Sequence, residues 1–90
     1  MIGRQVFYEG KVQGVGFRYT VRNIAKGYDV TGWIKNLPDG RVELHACGDG
    51  DEVRAFLEGV RESELNSNIR REEEHDIPPF HDIKGFEIRL

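Results

Sequence analysis

Hydrophobic and polar residues alternate near the start of the chain, which is the pattern of a β-strand with one buried face. One face comprises Val6, Tyr8, Gly10 and Val12, and the other comprises Phe7, Glu9 and Lys11. Successive side chains of a strand point to opposite faces, so this stretch predicts a first strand from Val6 to Val12.

The apolar residues then change to the spacing of an amphipathic helix, i, i+4, i+7, i+8 and i+11. They are Phe17, Val21, Ile24, Ala25 and Tyr28. The predicted helix begins near Phe17, and its outward residues are Thr20, Arg22, Asn23 and Lys26. We expect it to end at Gly27, because glycine readily takes the positive φ of a helix C-terminus.

The middle of the chain predicts a hairpin. Residues 30–37, VTGWIKNL, are rich in β-branched and aromatic residues, and the sequence PDG at 38–40 is a turn signal. The second strand of the hairpin again alternates between an apolar and a more polar set of residues. The first set is Val42, Leu44 and Ala46, and the second is Glu43, His45 and Cys47.

A second helix is predicted from about Gly50 to Glu62. Asp49 and Glu52 have the three-residue spacing of a capping box. An apolar stripe follows at Val53, Phe56, Leu57 and Val60.

The last third of the chain gives a weaker signal. Residues 65–76, LNSNIRREEEHD, fit either a solvated loop or a heavily charged edge strand, and we favour the strand. Two prolines at 78 and 79 break the chain. Alternation of Phe86, Ile88 and Leu90 then predicts a short final strand.

This order of elements predicts an α+β fold of the ferredoxin-like (βαββαβ) type. Two helices would cover one face of an antiparallel sheet in a two-layer sandwich, with a short extra C-terminal strand. Ninety residues fit a single domain, 1–90. Asn36 is in phase with Ile34, so if Ile34 faces the helices, Asn36 does too and could reach the loop before the first helix.

Composition limits the partners and the compartment. The chain is 32% charged and 38% hydrophobic with a net charge of −3, so nothing suggests a basic surface for nucleic acid. Cys47 is the only cysteine, which excludes an internal disulfide and favours the cytoplasm. The polar N-terminus fits neither a signal peptide nor a membrane span. We expect a monomer with no membrane partner.

The chemistry-bearing stretch is GKVQGVGFR, residues 10–18. Gly14 and Gly16 can take backbone angles closed to other residues, so successive N–H groups from Gln13 to Arg18 could turn toward one point. The following helix N-terminus adds partial positive charge, and Arg18 adds a guanidinium that can grip two phosphoryl oxygens. The pattern therefore predicts a phosphate site.

Three other phosphate motifs do not fit this loop. A Walker sequence needs Gly-Lys-Ser/Thr, a dinucleotide loop needs a third glycine where Tyr19 stands, and a cysteine-dependent phosphatase needs Cys where Val12 stands. The three histidines lack a metal-binding spacing.

Two stretches together resemble a known family. GKVQGVGFR at 10–18 and GWIKNLPDGRVELHACG at 32–48 are similar to the two signatures of the acylphosphatases. The resemblance implies hydrolysis of acyl phosphates to carboxylate and phosphate, without metal or cofactor. It implies that the phosphoryl group binds to Arg18 and to the amides of Gln13, Gly14, Val15, Gly16, Phe17 and Arg18. It also implies that Asn36 holds the attacking water.

An alternative from another class is a non-catalytic ferredoxin-like module that binds an anion or RNA. Such RNA-binding modules stack bases on aromatic residues of their central strands, whereas residues 41–48, RVELHACG, contain none. For Asn36 itself, spacing alone leaves simple turn chemistry as an equal alternative.

Overall fold

The computed structural model describes all ninety residues. Its elements in chain order are β1 (Ile2–Gly10), α1 (Phe17–Ala25), β2 (Val30–Asn36), β3 (Val42–Gly48), α2 (Gly50–Arg61), a 3₁₀ helix (Glu64–Asn68), β4 (Ile69–Ile77) and β5 (Phe86–Arg89). The ferredoxin-like α+β fold predicted from the sequence is confirmed.

The five strands form one sheet in the order β4-β1-β3-β2-β5. Strands β1 to β4 pair antiparallel, whereas β5 pairs parallel to β2. The parallel pairing follows from the connection. β4 ends beside the start of β1, at the end of the sheet where β2 also begins, so a chain crossing to the far edge restarts in the direction of β2.

The core lies between one face of this sheet and the two helices. The sheet contributes alternate residues such as Val6, Ile34 and Leu44, and the helices contribute their predicted stripes, including Val21 and Phe56. Each of these side chains is at most 1% exposed. Burying one stabilises the fold by about 1.5–3 kcal/mol relative to exposure, before the entropy of ordering it is counted.

The first strand differs from the prediction at both ends. It begins at Ile2 and ends at Gly10, where φ is 132° and the pairing with β4 shifts register. A Cβ on Gly10 would lie 2.2 Å from the Asn68 carbonyl oxygen, so only glycine fits this close approach. The chain leaves the sheet here. Val12 is buried, but it is not part of the strand.

The first helix ends differently from the sequence expectation. It ends at Ala25, and Gly27 does not have the predicted positive φ. The N–H groups of Gly27 and Tyr28 instead donate to the carbonyls of Ile24 and Ala25, three residues back. These bonds use the helix-end carbonyls without a left-handed residue.

Helix α2 has half of the expected capping box. The Asp49 side chain accepts from the Asp51 N–H at 3.0 Å, as a capping residue does. The Glu52 carboxylate instead accepts from the Asp29 N–H at 2.7 Å. Glu52 therefore ties α2 to the segment before β2.

The charged stretch forms a strand, the reading favoured from its sequence, but only from Ile69 onward. Because β4 is an edge strand, it has one neighbour, and its charges meet ionic partners. Arg61 of α2 donates to Glu72 at 3.1 Å, and Arg4 of β1 donates to Glu74 at 3.0 Å. These ion pairs replace the apolar alternation that an interior strand would show.

Candidate active site

The loop between β1 and α1 is shaped by two left-handed glycines. Gly14 and Gly16 both have φ of 75°, and no atom lies within 4 Å of a Cβ built on either one. Backbone conformation alone therefore disfavours a side chain at these positions. Gly16 is the N-cap of α1, which has no side-chain cap.

The backbone N–H groups of this loop have no partners in the protein. None of those from Gln13 to Arg18 donates to a loop or helix carbonyl, although the next amides of the helix are bonded from Thr20 onward. Free N–H groups beside left-handed glycines form a concave site for anions, and the helix N-terminus adds partial positive charge.

Gln13 fixes the loop to the β2–β3 hairpin. Its Nε2 donates to the carbonyl oxygens of Leu37 at 2.8 Å and Arg41 at 2.9 Å. Both side-chain N–H donors are thus used inside the protein, so the Gln13 side chain positions the loop. Sequence reasoning missed this role, since only the fold brings residues 13 and 37 together.

The hairpin turn that receives Gln13 is itself well bonded. The Leu37 N–H donates to the Arg41 carbonyl at 2.8 Å, and the Asp39 carboxylate accepts from the Arg41 backbone N–H at 3.0 Å. The hydrogen bond from this backbone N–H, together with one from the Arg41 side chain, lowers the pKa of Asp39 below its ordinary value. The turn therefore holds the end of β2, where Asn36 lies.

Arg18 lies in the first turn of α1 and reaches to β5. Its Nη1 donates to the Arg89 carbonyl at 3.1 Å. A guanidinium has five N–H donors, so this bond leaves donors free for phosphoryl oxygens. A cation at a helix N-terminus is disfavoured by the helix dipole, which makes an anionic ligand the natural partner at this position.

Asn36 is the last residue of β2 and pairs with Val42 of β3. Its Oδ1 is buried and has no hydrogen-bond partner. An unpaired buried acceptor costs about 1–3 kcal/mol. A half-turn of the carboxamide exchanges Oδ1 and Nδ2 with little change of shape, and would give the oxygen access to a donor in the adjoining cavity.

One cavity of about 240 Å³ brings these groups together. Its lining residues are Val12, Gly14, Gly16, Phe17, Arg18, Tyr19, Asn36 and Ile88. The structure thus places Gly14, Gly16, Phe17, Arg18 and Asn36 around one space. Gln13 and Val15 do not line it, and Val15 is 49% exposed.

Three lining residues were not singled out from the sequence as site residues. Val12 and Ile88 supply apolar walls, and Tyr19 is 57% exposed. The available signals were the position of Tyr19 directly after Arg18 and the alternation that made Ile88 an inward residue of the final strand. Neither signal indicates by itself that these residues meet.

Comparison with known proteins gives the family. A family model described as acylphosphatase matches residues 4–88, which include both the loop and the hairpin. The chain belongs to the acylphosphatase family. The acylphosphatase of Archaeoglobus fulgidus is 35% identical over 89 residues, covering 99% of this chain and 84% of that protein.

Solved structures agree with this assignment. The acylphosphatase of Bacillus subtilis superposes with a TM-score of 0.89 at 32% identity, with full coverage of both chains. HypF of T. kodakarensis superposes with a TM-score of 0.84 at 31% identity, but the match covers only 12% of that longer chain. The sequence prediction of an acylphosphatase-type enzyme is confirmed.

Cys47 and the histidines lie away from this cavity. Cys47 is buried on the sheet face opposite the helices, where its Sγ lies 3.3 Å from the Phe80 carbonyl oxygen. His45 stacks on Trp33 with ring centroids 4.1 Å apart. No three side chains of the His, Cys, Asp or Glu types are grouped to hold a metal ion. Neither helix has the length and hydropathy to cross a bilayer.

The sheet face opposite the helices bears on the RNA-binding alternative. Its central strand β3 has no Phe, Tyr or Trp, as noted from the sequence, but the other central strand contributes Phe7. The Arg41 guanidinium covers the Phe7 ring at 4.5 Å, and His75 meets its edge. These partners leave Phe7 half-buried, which is a poor platform for a base.

Proposed function

We propose that the protein hydrolyses the carboxyl-phosphate bond of acyl phosphates, releasing a carboxylate and inorganic phosphate. Arg18 and the loop amides hold the phosphoryl group, and Asn36 positions the attacking water. The observation that carries this proposal is that one cavity contains Arg18, the loop glycines and Asn36.

The loop suits the charge that develops during phosphoryl transfer. That charge spreads over the three equatorial oxygens, so fixed donors around them lower the barrier. The loop amides that line the cavity supply donors with no competing acceptor in the loop or helix, and Arg18 adds a full positive charge. Little of this environment must reorganise when substrate binds.

Asn36 is the residue best placed to aim the nucleophile. It comes from the sheet, whereas the loop amides and Arg18 come from the start of α1, so phosphate and water would be held by different elements. With its oxygen turned into the cavity, the carboxamide accepts a hydrogen bond from water. This bond directs a water lone pair at phosphorus.

The reaction needs no protein acid or base. The leaving carboxylate is a weak base, whose conjugate acid has a pKa of about 4–5, like a side-chain carboxyl. No carboxyl, imidazole or thiol lines the cavity. The water oxygen bonds to phosphorus while the bond from phosphorus to the bridging oxygen breaks, and that oxygen leaves as part of the carboxylate with the bonding electrons. The proton of the attacking water passes to a phosphoryl oxygen of the substrate.

The test is hydrolysis of benzoyl phosphate by purified protein in excess chelator, followed by ultraviolet absorbance. We expect turnover in chelator, with competitive inhibition by inorganic phosphate or sulfate. A protein that binds phosphate without hydrolysing any acyl phosphate would instead be the non-catalytic anion-binding module. Activity lost in chelator and restored by a divalent ion would contradict the metal-free part of the proposal.

We also propose that the protein is monomeric and cytoplasmic. Sedimentation of the purified chain measures the first property, and fractionation of the source cells measures the second.

A further inference from the structure

A second cavity, of about 540 Å³, lies between α1 and β5. It is lined by two basic residues, Arg22 of α1 and Lys26 directly after that helix, and by the apolar or aromatic side chains of Tyr28, Val30 and Phe86. No carboxylate lines it. The sequence pattern placed Arg22 and Lys26 on the outer face of the helix, without a function.

The second cavity and the phosphate cavity are lined by successive residues of the same helix and the same strand. Helix α1 contributes Arg18 to the phosphate cavity and Arg22 to the second one, four residues or about 6 Å further along the axis. Strand β5 contributes Ile88 to the first and Phe86 to the second, two residues or about 7 Å apart.

The two cations of the second cavity have no carboxylate partner in the protein. Neither Arg22 nor Lys26 forms an ion pair, although acidic residues outnumber basic ones in the chain. The Arg22 Nε is also buried without a hydrogen-bond acceptor. A buried donor is normally hydrogen-bonded, so this N–H is available to an oxygen of a ligand.

Tyr19 connects the two cavities through its contact with Arg22. It lines the phosphate cavity, and the guanidinium of Arg22, which lines the second cavity, lies over its ring, 4.7 Å from the centroid. In-line displacement requires the acyl group to leave on the side of phosphorus opposite the attacking water. Asn36 holds that water from the sheet, so the acyl group would extend outward, past Tyr19 and toward Arg22.

We propose that Arg22, assisted by Lys26, binds a second anionic group on the acyl chain of the substrate. The preferred substrates are then acyl phosphates whose acyl part ends in a carboxylate or a phosphate. This inference rests on the proposed function, because it extends the same site from the phosphoryl group to the acyl group.

The test compares two substrates that differ at one distant position, 4-carboxybenzoyl phosphate and 4-methylbenzoyl phosphate. Their rigid rings present the same acyl phosphate, and only the first has a second anion. We expect the unmodified protein to have the higher kcat/KM for 4-carboxybenzoyl phosphate. Arg22→Gln should reduce that preference about tenfold, the effect of one charged hydrogen bond, and Lys26→Gln about threefold.

The control variant is Arg70→Gln. Arg70 is an exposed cation on β4, at the opposite edge of the sheet from β5, and it forms no ion pair. It changes the net charge as Arg22→Gln does, so the substrate preference should stay within about twofold of the unmodified protein. An equal loss of preference in Arg70→Gln would reduce the effect to overall charge and overturn the proposal.

A binding measurement makes the inference independent of turnover. In (4-carboxyphenacyl)phosphonate and its 4-methyl analogue, CH₂ replaces the bridging oxygen, so neither can be hydrolysed. Titration calorimetry should show tighter binding of the carboxylate analogue and loss of that difference in Arg22→Gln. This result without any hydrolysis of benzoyl phosphate would support the second site while overturning the proposed reaction.

Two further outcomes would overturn the inference while leaving the reaction intact. One is equal kcat/KM for both substrates in a protein that hydrolyses benzoyl phosphate. The other is an equal loss for both substrates in Arg22→Gln, because that would show that Arg22 only supports the Tyr19 ring.

Discussion

The loop of residues 13–18 and the edge strand β4 both have many polar groups, but these are unpaired in the loop and paired in the strand. In the loop, backbone amides have no acceptor in loop or helix, and Asn36 beside it has an unpaired oxygen. In β4, the carboxylates of Glu72, Glu74 and Asp76 all pair with arginines of neighbouring elements.

This difference separates binding groups from structural groups. A polar group that is already paired inside the protein has little to gain from a ligand, whereas an unpaired one at a cavity gains a full hydrogen bond. The density of charged residues alone would have suggested β4 as the binding site. Pairing points instead to the loop, and the variants below test that distinction.

Arg18→Gln should have the largest effect. We expect kcat/KM to fall by at least about a thousandfold and the affinity for phosphate to fall with it. The guanidinium contacts both ground-state and transition-state oxygens in our proposal, so both measurements should fall. Steady-state kinetics and the phosphate inhibition constant measure them. Lys11→Gln, which removes an exposed cation from the same connection, is the matched control. Normal phosphate affinity in Arg18→Gln would remove Arg18 from the phosphate site.

Asn36→Ala should lower kcat by about a hundredfold, the scale of one preorganised polar contact in a transition state. The phosphate inhibition constant should change far less, because a bound phosphate ion does not use the attacking water. Thermal unfolding checks that the hairpin persists. If both constants worsen equally in a folded variant, Asn36 belongs to the phosphate site, and if neither changes, it serves only the turn.

Gln13→Ala should lower kcat/KM by about tenfold, since it releases the loop from the hairpin and loosens the aligned amides. Both its Nε2 bonds go to backbone carbonyls, so no catalytic group is removed directly. Gln5→Ala, which also removes bonded amide protons but on the opposite sheet face, is the control and should keep normal kinetics. Unchanged kinetics in Gln13→Ala would mean that the loop holds its shape alone.

Arg61→Ala should test whether the ion pairs of β4 contribute to stability and not to catalysis. It removes the partner of half-buried Glu72, and we expect a loss of about 1–2 kcal/mol in the free energy of unfolding with kcat unchanged. Arg54→Ala, on the same face of α2 with an exposed partner, should cost less than about 0.5 kcal/mol. Urea unfolding measures both. An Arg61→Ala protein with normal stability and reduced kcat would contradict the purely structural role of β4.

Tyr8→Phe should have the smallest effect and should stabilise the protein. Tyr8 is fully buried against Phe17, and its hydroxyl has no hydrogen-bond partner. Burial, with the nearby charge of Glu72, raises the pKa of that hydroxyl, so it stays neutral at any ordinary pH. Removing it should raise the free energy of unfolding by about 1 kcal/mol, or Tm by about 4–8 °C. A lower Tm would reveal a bond that the hydroxyl makes.

Much of the fold was determined by the sequence alone because its signals are local. Alternation at Val42, Leu44 and Ala46 and helical spacing at Val53, Phe56 and Val60 follow from the periods of the strand and the helix. The loop glycines and Arg18 were also singled out from the sequence, because the conformations and donors that a phosphate needs limit the residue types. Asn36 was singled out by its phase with Ile34 and by the resemblance to the acylphosphatases, and it lines the same cavity. The prediction that Gly27 would end the first helix with a positive φ was wrong, because hydrogen bonds to carbonyls three residues back end the helix without one.

What only the tertiary structure decided depends on residues far apart in the chain. Gln13 bonds to Leu37 and Arg41, Arg18 bonds to Arg89, and the charges of β4 are paired because α2 and β1 lie beside it. The cavities beside Arg18 and Arg22 both use β5, which pairs parallel to β2 and packs against α1. No short-range period encodes such contacts, since they depend on how the whole sheet is ordered and in what register its strands pair.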